Sequence, residues 1–517
     1  MRQHIMAHTI SINTYQDRLM WWRRYTIFPV VILLSACSAA GDSDQAPNTP
    51  LSTPMALVVN QDDTTLTTVR LDGVSPAVIG TLSLGPRQAD AIGGVAFSLG
   101  EWIFVTNTET NQVATIDPIG GTAPILEGFL TANPLDPRVK IGQRPTRIYR
   151  DPVDKEVLWT MNDGDPTTGI DTVANCARGG SVSVLHNSHL GVGGEKPRVT
   201  SIACLSGKGQ HLVAFSRPPV TPQQLAFVSS STTGIISVLL PVPIADGNVA
   251  WSEFNVKIDL CDSAKETALG HSVCDADALT PNHSVPAGMF WSKITGKIYS
   301  YLAGYRVIVE IDPASLTLTT RQVDVPSVWS MEVTPNGRFL LLAGEDVTSD
   351  PAKVIGRFGL IDLTQPTLSL VSHSLDHVRP SQFRFTADGN RLYVTQSNAT
   401  IGLTSQQVAT VQKDKLYVFD ATPWPASFPL LASVDLPAVG SNGEHGMDLW
   451  VVGPPGAGTA KGIVVTNAPH SGNGSVLLID AATNAITATI PVGRNPKQVT
   501  VYYVGLAASD NQATPTW

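Results

Sequence analysis

The sequence predicts an all-β protein that folds as a β-propeller of four-stranded blades. Short apolar strands recur along nearly the whole chain, one kind ending near an Asn and the next ending on Ile-Asp, as in residues 104–107 and 114–117. Self-similarity at a period of roughly 40 to 60 residues, carried by strands alone, is typical of propellers. The 43 Gly and 37 Pro among 517 residues, with 15% charged residues, fit a globular chain with many turns.

The N-terminal segment predicts an export signal. Arg23 and Arg24 precede an apolar run over residues 27–34 that is too short to span a bilayer. The run ends in Leu34-Ser35-Ala36-Cys37, which resembles the bacterial lipobox, where the Cys is diacylated and becomes the mature N-terminus. We therefore predict a lipoprotein signal peptide over residues 1–37 and lipidation of Cys37 by palmitate-type chains. The start codon stays open between Met1 and Met20.

The lipobox resemblance also implies a cellular location, and the residues after it predict the domain boundaries. Ser rather than Asp follows Cys37, which in Gram-negative lipoproteins favours an anchor in the outer membrane, on its periplasmic face or at the cell surface. Residues 38–54 are rich in Ser, Ala, Asp, Pro and Thr and predict a flexible tether. We expect one propeller domain over residues 55–505 and a C-terminal tail over residues 506–517.

The charge balance restricts the partners. Removal of residues 1–37 takes four of 34 basic residues and one of 43 acidic residues, leaving 30 against 42 and a formal net charge of −12. Such an acidic chain argues against nucleic acid or an anionic membrane surface as the main partner. We expect a monomer that contacts the membrane through its lipid anchor only.

Four cysteines remain beside Cys37, and an even number in an oxidising compartment predicts two disulfides. No pair has the C-x-x-C spacing of a thiolate zinc site or a redox couple. Proximity in sequence favours Cys176–Cys204 and Cys261–Cys274, although four cysteines permit three pairings.

Each blade is expected to run from an innermost strand A to an outermost strand D, and eight candidate A strands can be counted. They begin near Gly93, Pro145, His211, Pro286, Val328, Pro380, His445 and Pro496. After the last one the chain is too short for three more strands, and the missing B, C and D strands are found over residues 56–60, 66–71 and 77–84. The ring is therefore predicted to close by joining N-terminal strands to a C-terminal inner strand, which removes exposed sheet edges.

Asp residues end six of the predicted C strands. Asp there can accept hydrogen bonds from the backbone two residues on and shape the following turn, so we interpret these carboxylates as structural. They are Asp72, Asp117, Asp312, Asp362, Asp420 and Asp480.

A second motif carries a resemblance to a known family. Gly493, Pro496 and Val499 follow a Gly-x-x-Pro-x-x-Val pattern, and strands such as Val464-Val465-Thr466-Asn467 match Tyr-Val-Thr-Asn. Over residues 55–505 the chain resembles the YVTN family of β-propeller repeats. Most members of that family close with seven blades, so the resemblance leaves seven as the alternative to the eight counted.

The connections predict which face is functional. The A–B and C–D turns are mostly short, whereas the B–C and D–A connections, which share the opposite face, carry the long insertions. The residues that start the A strands lie at the channel mouth on that same face. The candidate ligand-binding residues there are Arg144, His211, His283, His377, Arg379, His445 and Arg494. Imidazoles and guanidiniums converging on one funnel would suit an anion or, less readily beside so many Arg, a metal ion.

The main functional hypothesis is a lipid-anchored binding module that meets an envelope protein or a small anionic ligand through this face and the channel mouth. No nucleophile elbow, phosphate loop or His-Glu-x-x-His motif occurs, so no catalytic residue and no cofactor is predicted. One alternative is a periplasmic oxidoreductase or a propeller that carries a cofactor or metal at the His-lined mouth. Another is a lactonase-like hydrolase, for which Asp90 and Glu444 are the carboxylates nearest the mouth.

Overall fold

The structure is a computed structural model. It describes residues 53–72, 76–86, 92–97, 102–117, 125–131, 140–154, 156–164, 180–186, 197–205, 211–230, 235–243, 249–254, 257–259, 286–302, 307–322, 327–346, 355–365, 370–376, 380–396, 415–437, 448–453, 460–468 and 472–504.

The chain forms eight antiparallel sheets, one per blade, so the prediction of an eight-bladed propeller is confirmed. Blade 1 combines the two ends of the described chain. Its inner strand is β33 (Pro496–Val504), followed outward by β1 (Thr53–Asn60), β2 (Thr65–Arg70) and β3 (Ala77–Ser83). Val58 pairs with Val499 and Ala56 with Val501, which confirms the predicted closure. A single-turn 3₁₀ helix, Gln61–Asp63, joins β1 to β2.

The other seven blades follow one another along the chain, each running from its inner to its outer strand. Blade 2 consists of β4 (Ile92–Phe97), β5 (Ile103–Asn107), β6 (Gln112–Asp117) and β7 (Ile125–Thr131). Blade 3 consists of β8 (Pro145–Arg150), β9 (Val157–Asn162), β10 (Ser181–His186) and β11 (Arg198–Cys204). Blade 4 consists of β12 (His211–Ser216), β13 (Leu225–Ser230), β14 (Ile235–Pro243) and β15 (Val249–Glu253), with β16 (Ile258–Asp259) also paired to β14.

Blades 5 to 8 have the same order. Blade 5 consists of β17 (Pro286–Trp291), β18 (Ile298–Leu302), β19 (Val307–Asp312) and β20 (Thr317–Gln322), and blade 6 of β21 (Ser327–Val333), β22 (Phe339–Glu345), β23 (Ile355–Asp362) and β24 (Leu370–Asp376). Blade 7 consists of β25 (Pro380–Phe385), β26 (Arg391–Gln396), β27 (Lys415–Asp420) and β28 (Leu430–Asp435). Blade 8 consists of β29 (Leu449–Val452), β30 (Gly462–Asn467), β31 (Asn473–Asp480) and β32 (Ile486–Arg494).

Inner strand β29 begins later than its sequence predicts. The expected start was near His445, whereas the strand begins at Leu449. The Asp448 N–H donates to the Thr466 hydroxyl at 2.9 Å. This side-chain hydrogen bond replaces the backbone ladder bond that the N–H would otherwise make.

The core lies between blades rather than at one centre. Among the described residues, a cluster of buried apolar side chains fills the space between each pair of neighbouring blades. The middle strands of each blade are buried on both faces, and β5 is buried along its whole length. The cluster between blades 8 and 1 includes Trp450, Val464, Val499, Val501 and Tyr503, so the closure is packed like every other interface.

At four of the six C strands, the turn that follows confirms the structural role predicted for the Asp residue. The turns after Asp72 and Asp117 lie outside the described residues. The Asp312 carboxylate accepts the N–H groups of Ala314 at 2.9 Å and Ser315 at 3.1 Å. The same pattern recurs at Asp362, Asp420 and Asp480. These bonds satisfy turn N–H groups that would otherwise point into solvent.

We call the face that carries the A–B and C–D connections the short-turn face. Among its described residues, the A–B turns of blades 3 and 4 and those of blades 5 and 6 are hydrogen-bonded to each other. The Asp151 carboxylate of blade 3 accepts a hydrogen bond from Gln224 Nε2 of blade 4, with Nε2 and Oδ2 2.9 Å apart. Ser292 of blade 5 donates its hydroxyl to the Gly337 carbonyl of blade 6 at 2.6 Å, and Lys293 Nζ lies 2.8 Å from the Pro335 carbonyl. In these two pairs, turns of consecutive blades are bonded to each other as well as within themselves.

Within the part of the chain that the structure describes, no helix is long and apolar enough to cross a membrane.

Candidate functional site

The opposite face, which we call the mouth face, carries the longest connections between strands. Residues 163–180 separate β9 from β10, residues 260–285 separate β16 from β17, and residues 397–414 separate β26 from β27. Inner strands start on this face and B strands end on it, because the two are antiparallel neighbours. The mouth of the central channel therefore lies here.

The Gly-x-x-Pro motif forms the rim of the mouth. In blade 3, Gly142 packs so closely on Asn162, the last residue of β9, that a Cβ atom would lie 2.4 Å from its Nδ2. The Gly142 N–H donates to Ser183 Oγ at 2.9 Å, and Asn162 Nδ2 donates to the same hydroxyl at 2.9 Å. Glycine is required at this position because any side chain would displace the buried Asn.

Two residues later the rim turns sharply. Arg144 has a φ of 55°, in the left-handed region, directly before Pro145. Its backbone is bonded on both sides, since its N–H donates to Asn111 Oδ1 at 2.7 Å and its carbonyl accepts the Asp163 N–H at 3.0 Å. A conformation that costs an ordinary residue about 1–2 kcal/mol is thus maintained by neighbouring strands.

Blade 1 repeats this geometry with different side chains. Gly493 packs against Asn60, where a Cβ atom would lie 2.7 Å from its Cγ, and Asn495 before Pro496 has a φ of 49°. The Asn495 carbonyl accepts the Gln61 N–H at 3.0 Å, as the Arg144 carbonyl accepts that of Asp163. The motif that suggested the family resemblance therefore fixes the backbone where the inner strands of blades 3 and 1 begin.

Both described arginines of the predicted site lie on this rim, in different blades. Arg144 has a side chain 35% exposed, and its Nη1 is 3.9 Å from Glu109 Oε1. The N–H of Arg494 donates to Asp63 Oδ2 at 2.7 Å. Each guanidinium thus starts from a backbone position fixed by a neighbouring loop, and each has an acidic residue close by.

Asp163 adds a titratable group beside Arg144. Burial raises the pKa of Asp163 to about 6, while the hydrogen bond from Thr146 and the charges of Arg147 and Arg144 lower it. Thr146 Oγ1 donates to the carboxylate at 3.0 Å. Asp163 packs beside the start of β8, a contact that only the fold shows.

The remaining predicted residues are described in part or not at all. His211 is the first residue of β12, at the mouth as expected. Cys204 is the last residue of β11, half-buried, so it lies on the mouth face where its pairing with Cys176 was predicted. The others fall outside the described residues and stay predictions. They are Cys37, Cys176, Cys261, Cys274, His283, His377, Arg379 and His445, together with Asp90 and Glu444.

A second polar group lies further along the channel and was missed by sequence analysis. Glu332, Arg384 and Asp448 come from β21, β25 and β29 or its start, the inner strands of three consecutive blades. Arg384 Nη2 is 4.0 Å from Asp448 Oδ1, and the Arg384 guanidinium lies over the Trp450 ring with its Cζ 5.5 Å from the centroid. We call these three residues the inner-strand row.

The two carboxyls of the row are held differently. Asp448 accepts the Leu449 N–H at 2.8 Å and, across the ring closure, the Val499 N–H at 3.0 Å. Burial raises the pKa of Asp448 to about 6, against the opposing charge of Arg384. Burial raises the pKa of Glu332 to about 7, again opposed by Arg384. The available signal was a single charged residue in, or directly before, each of three inner strands.

The metal hypothesis has no support in the described part of the chain. Within it, no three His, Cys, Asp or Glu side chains lie close enough together to hold an ion. The two carboxyls of the inner-strand row share their surroundings with Arg384, whose positive charge repels a divalent cation.

Comparison with known proteins identifies relatives in fold only. No protein-family model matches the sequence, so the resemblance to YVTN repeats stays a prediction. No curated protein is similar to it in sequence. Among solved structures it is similar to the dihydro-heme d1 dehydrogenase NirN in complex with DHE, with a TM-score of 0.51 and 12% identity over 88% of this chain and 76% of that one.

Two further solved structures are similar to the chain with TM-scores below 0.5. Apo AztD from Citrobacter koseri has a TM-score of 0.47 and 14% identity, over 88% of this chain and 99% of that one. The periplasmic gluconolactonase PpgL of Pseudomonas aeruginosa has a TM-score of 0.47 and 12% identity over the same shares of the two chains. Identities this low show a shared fold and nothing about activity.

Proposed function

We propose that this protein is a lipid-anchored binding protein of the cell envelope, and that it presents the mouth face to an envelope protein or a small anionic ligand. The observation that carries the proposal is the fixed backbone of the rim. Arg144 and the residues next to Arg494 are bonded into the ring, so the guanidiniums project from positions that do not shift on binding. Such preorganisation lowers the entropic cost of association.

The electrostatics of the rim favour an anion. Guanidinium groups offer forked donors that match carboxylate and other oxyanion oxygens. Glu109 and Asp63 beside the two arginines moderate the positive charge, so we expect selective rather than general anion binding. His211 begins the inner strand of blade 4, at the position that Pro145, the residue after Arg144, has in blade 3, and the three other mouth histidines remain predicted contributors.

The binding arm of the proposal is tested with inorganic sulfate as the probe, titrated calorimetrically into the wild type and an Arg144→Met/Arg494→Met double variant. We expect the double variant to bind sulfate about tenfold more weakly, the effect of losing one or two charge-assisted hydrogen bonds. Arg338→Met is the matched control, since Arg338 lies on the short-turn face in an exposed pair with Asp362. Equal binding by the double variant and the control would remove the mouth from the proposal.

The anchor is tested separately with Cys37→Ser. A protein with several acyl chains anchors stably, so the wild type should partition into the detergent phase with membranes while the variant folds but stays in the aqueous phase. A variant that remained on membranes through a high-salt wash would show that Cys37 is not the anchor.

A further inference from the structure

The outer strand of each blade has an edge that, among the described residues, pairs with no further strand. In blades 1, 2, 3, 7 and 8 the register between the outer strand and its neighbour shifts, with an extra residue on the outer strand. Such a β-bulge twists the edge and interrupts its row of N–H and C=O groups. Bulged edges pair poorly with strands of other chains, so these five edges are protected.

The outer strands of blades 4, 5 and 6 have no bulge, and two of them are protected in other ways. In β15 the Trp251 N–H donates to Ser201 Oγ of blade 3 at 3.4 Å, and the strand ends in Glu253. Strand β20 contains Arg321. A neighbouring blade on the edge, or a charged residue in it, disfavours pairing with a further strand.

Strand β24 of blade 6 has neither protection. It pairs with β23 at seven consecutive positions without a shift in register. Its first six residues, Leu-Val-Ser-His-Ser-Leu, include no Lys, Arg, Asp, Glu or Pro. Among the described outer strands, β24 is thus the one with a regular, uncharged edge of six residues, and such an edge is a template for a further strand.

The edge of β24 is accessible and held in place. Val371 is 37% exposed, and Ser372 and Ser374 are exposed as well. The His373 imidazole lies against Phe428 of blade 7, with ring centroids 4.6 Å apart. The neighbouring blade therefore supports the strand from its side and leaves its edge in solvent.

The sequence of β24 is nearly symmetric about His373. An antiparallel copy with His373 opposite His373 places Ser372 opposite Ser374 and Val371 opposite Leu375. A hydrogen bond between hydroxyl side chains on paired strands contributes about 0.2–1 kcal/mol, and the Val–Leu pairs bury apolar surface. Burial lowers the pKa of His373, so the two facing imidazoles are neutral at pH 7 and do not repel each other. The strand therefore complements a second copy of itself.

We propose that β24 is a self-association edge, where two copies of this chain pair antiparallel about His373 and join their blade 6 sheets into one sheet of eight strands. The proposal replaces the monomer expected from the sequence. It uses no residue of the mouth face and does not depend on the lipid anchor. A single strand pair is small beside the roughly 1,200–2,000 Å² that stable interfaces bury, so we expect a transient dimer with a Kd of about 10–100 μM.

The register is tested by disulfide crosslinking of the full chain in detergent, with Ser372→Cys and Ser374→Cys made as separate variants. Directly opposite Cβ atoms lie about 4.5–5.5 Å apart, near disulfide distance, whereas diagonal positions at about 7–8 Å are too far. Each variant alone should therefore form little crosslinked dimer under mild oxidation. An equimolar mixture should form at least about tenfold more, because residue 372 of one copy then faces residue 374 of the other. The wild type measures the background from its own cysteines.

The energetics are tested by sedimentation equilibrium of the full chain in density-matched detergent. Ser372→Lys places a charge on the edge and should weaken association at least about tenfold. The matched control is Ser433→Lys, an exposed Ser on β28, the bulged outer strand of blade 7, and it should associate as the wild type does. Thermal unfolding checks that both variants fold, and the crosslinking experiment does not depend on either of them.

Three results would overturn the proposal. The first is a wild type that sediments as a monomer at concentrations well above the expected Kd, which would leave the edge to a strand of another protein or to none. The second is equal crosslinking in the mixture and in the separate variants, as random collision would give. The third is a folded Ser372→Lys variant that associates as strongly as the Ser433→Lys control.

Discussion

The two faces of the propeller are built from the same eight blades but by different means. On the short-turn face the turns are bonded to themselves through Asp and Thr side chains and to their neighbours through contacts such as Ser292 with Gly337. On the mouth face the rim backbone is fixed by buried Asn and Gly contacts, and the longest connections start beyond it.

The difference separates two tasks. Interlocked turns on one side stabilise the ring without using the other side, so the mouth face can vary in loop length and side chain at little cost to the fold. At the rim, only the backbone conformation has to be the same from blade to blade, and the side chains can differ. Arg144 and Asn495 illustrate this, since they adopt the same left-handed conformation with very different side chains.

Both faces depend on the closed ring, so deletion of residues 494–517 should have the largest effect. It removes β33, whose Val499, Val501 and Tyr503 are buried between blades 8 and 1, and it exposes the inner edge of β1. We expect aggregation or loss of a cooperative unfolding transition. Deletion of residues 508–517 alone is the control and should leave the transition in place. A monomeric 494–517 deletion with unchanged melting would contradict the closure.

A pair of glycine substitutions compares the faces directly. Gly337 and Gly472 have φ values of +80° and +95°, but a Cβ atom at Gly337 would lie 2.8 Å from Lys293 Cγ, whereas at Gly472 nothing lies within 4 Å. Both alanine variants carry the same backbone strain of about 1–2 kcal/mol. We expect Gly337→Ala to lose about 1–3 kcal/mol more through crowding. Equal losses in denaturant unfolding would mean that the short-turn face is not tightly interlocked.

The pH dependence of stability distinguishes Glu332 of the inner-strand row from Asp163 at the mouth. Glu332 has a folded pKa of about 7, above its ordinary value of 4.5, so the folded state binds more protons between these values. The free energy of unfolding should therefore rise as the pH falls from 8 to 5 and decline as the pH rises through that window. Glu332→Gln should flatten the upper part of the curve.

Asp163 at the mouth acts over a lower range, because its folded pKa is about 6 against an ordinary value of 3.8. Asp163→Asn should therefore flatten the curve below pH 6 and leave the region near pH 7 unchanged. Urea titrations at half-unit pH steps measure both effects. A wild-type curve with no rise on acidification would refute the burial of these carboxyls.

The smallest effect is expected from the exposed ion pair on the short-turn face. Arg338 Nη2 lies 2.6 Å from Asp362 Oδ2, with the Arg338 side chain 48% exposed. Because solvent screens such pairs, Arg338→Met should cost less than about 1 kcal/mol. A larger loss in the melting experiment would show that surface charge, rather than the turn-to-turn bonding, stabilises this face.

The fold could be predicted because its signals are local and repeated. Strand ends marked by Asp and inner strands marked by Pro recur in most blades, so each occurrence supports the others, as Asp312 and Asp480 show. The closure could be predicted by counting strands. The inner strand β33 has no B, C and D strands after it, and β1 to β3 have no inner strand before them.

The site was harder to predict because it depends on contacts between blades. The predicted site residues precede or begin the inner strands, and they include Arg144, Arg494 and His211. Glu332, Arg384 and Asp448 lie 52 to 64 residues apart in neighbouring pairs, and each taken alone is an isolated charge in, or directly before, an inner strand. Only the ring geometry brings them into one row.

The position of β33 also orders events in time. It follows every other described strand, yet it lies innermost in blade 1 and beside β1, the first described strand. A chain that emerges from its N-terminus onward leaves the inner edge of β1 unpaired until residues 496–504 are available. Blade 1 is therefore completed only after the strands of the other seven blades have emerged. Under the proposed export through residues 1–37, a chain still crossing a membrane has no closed ring.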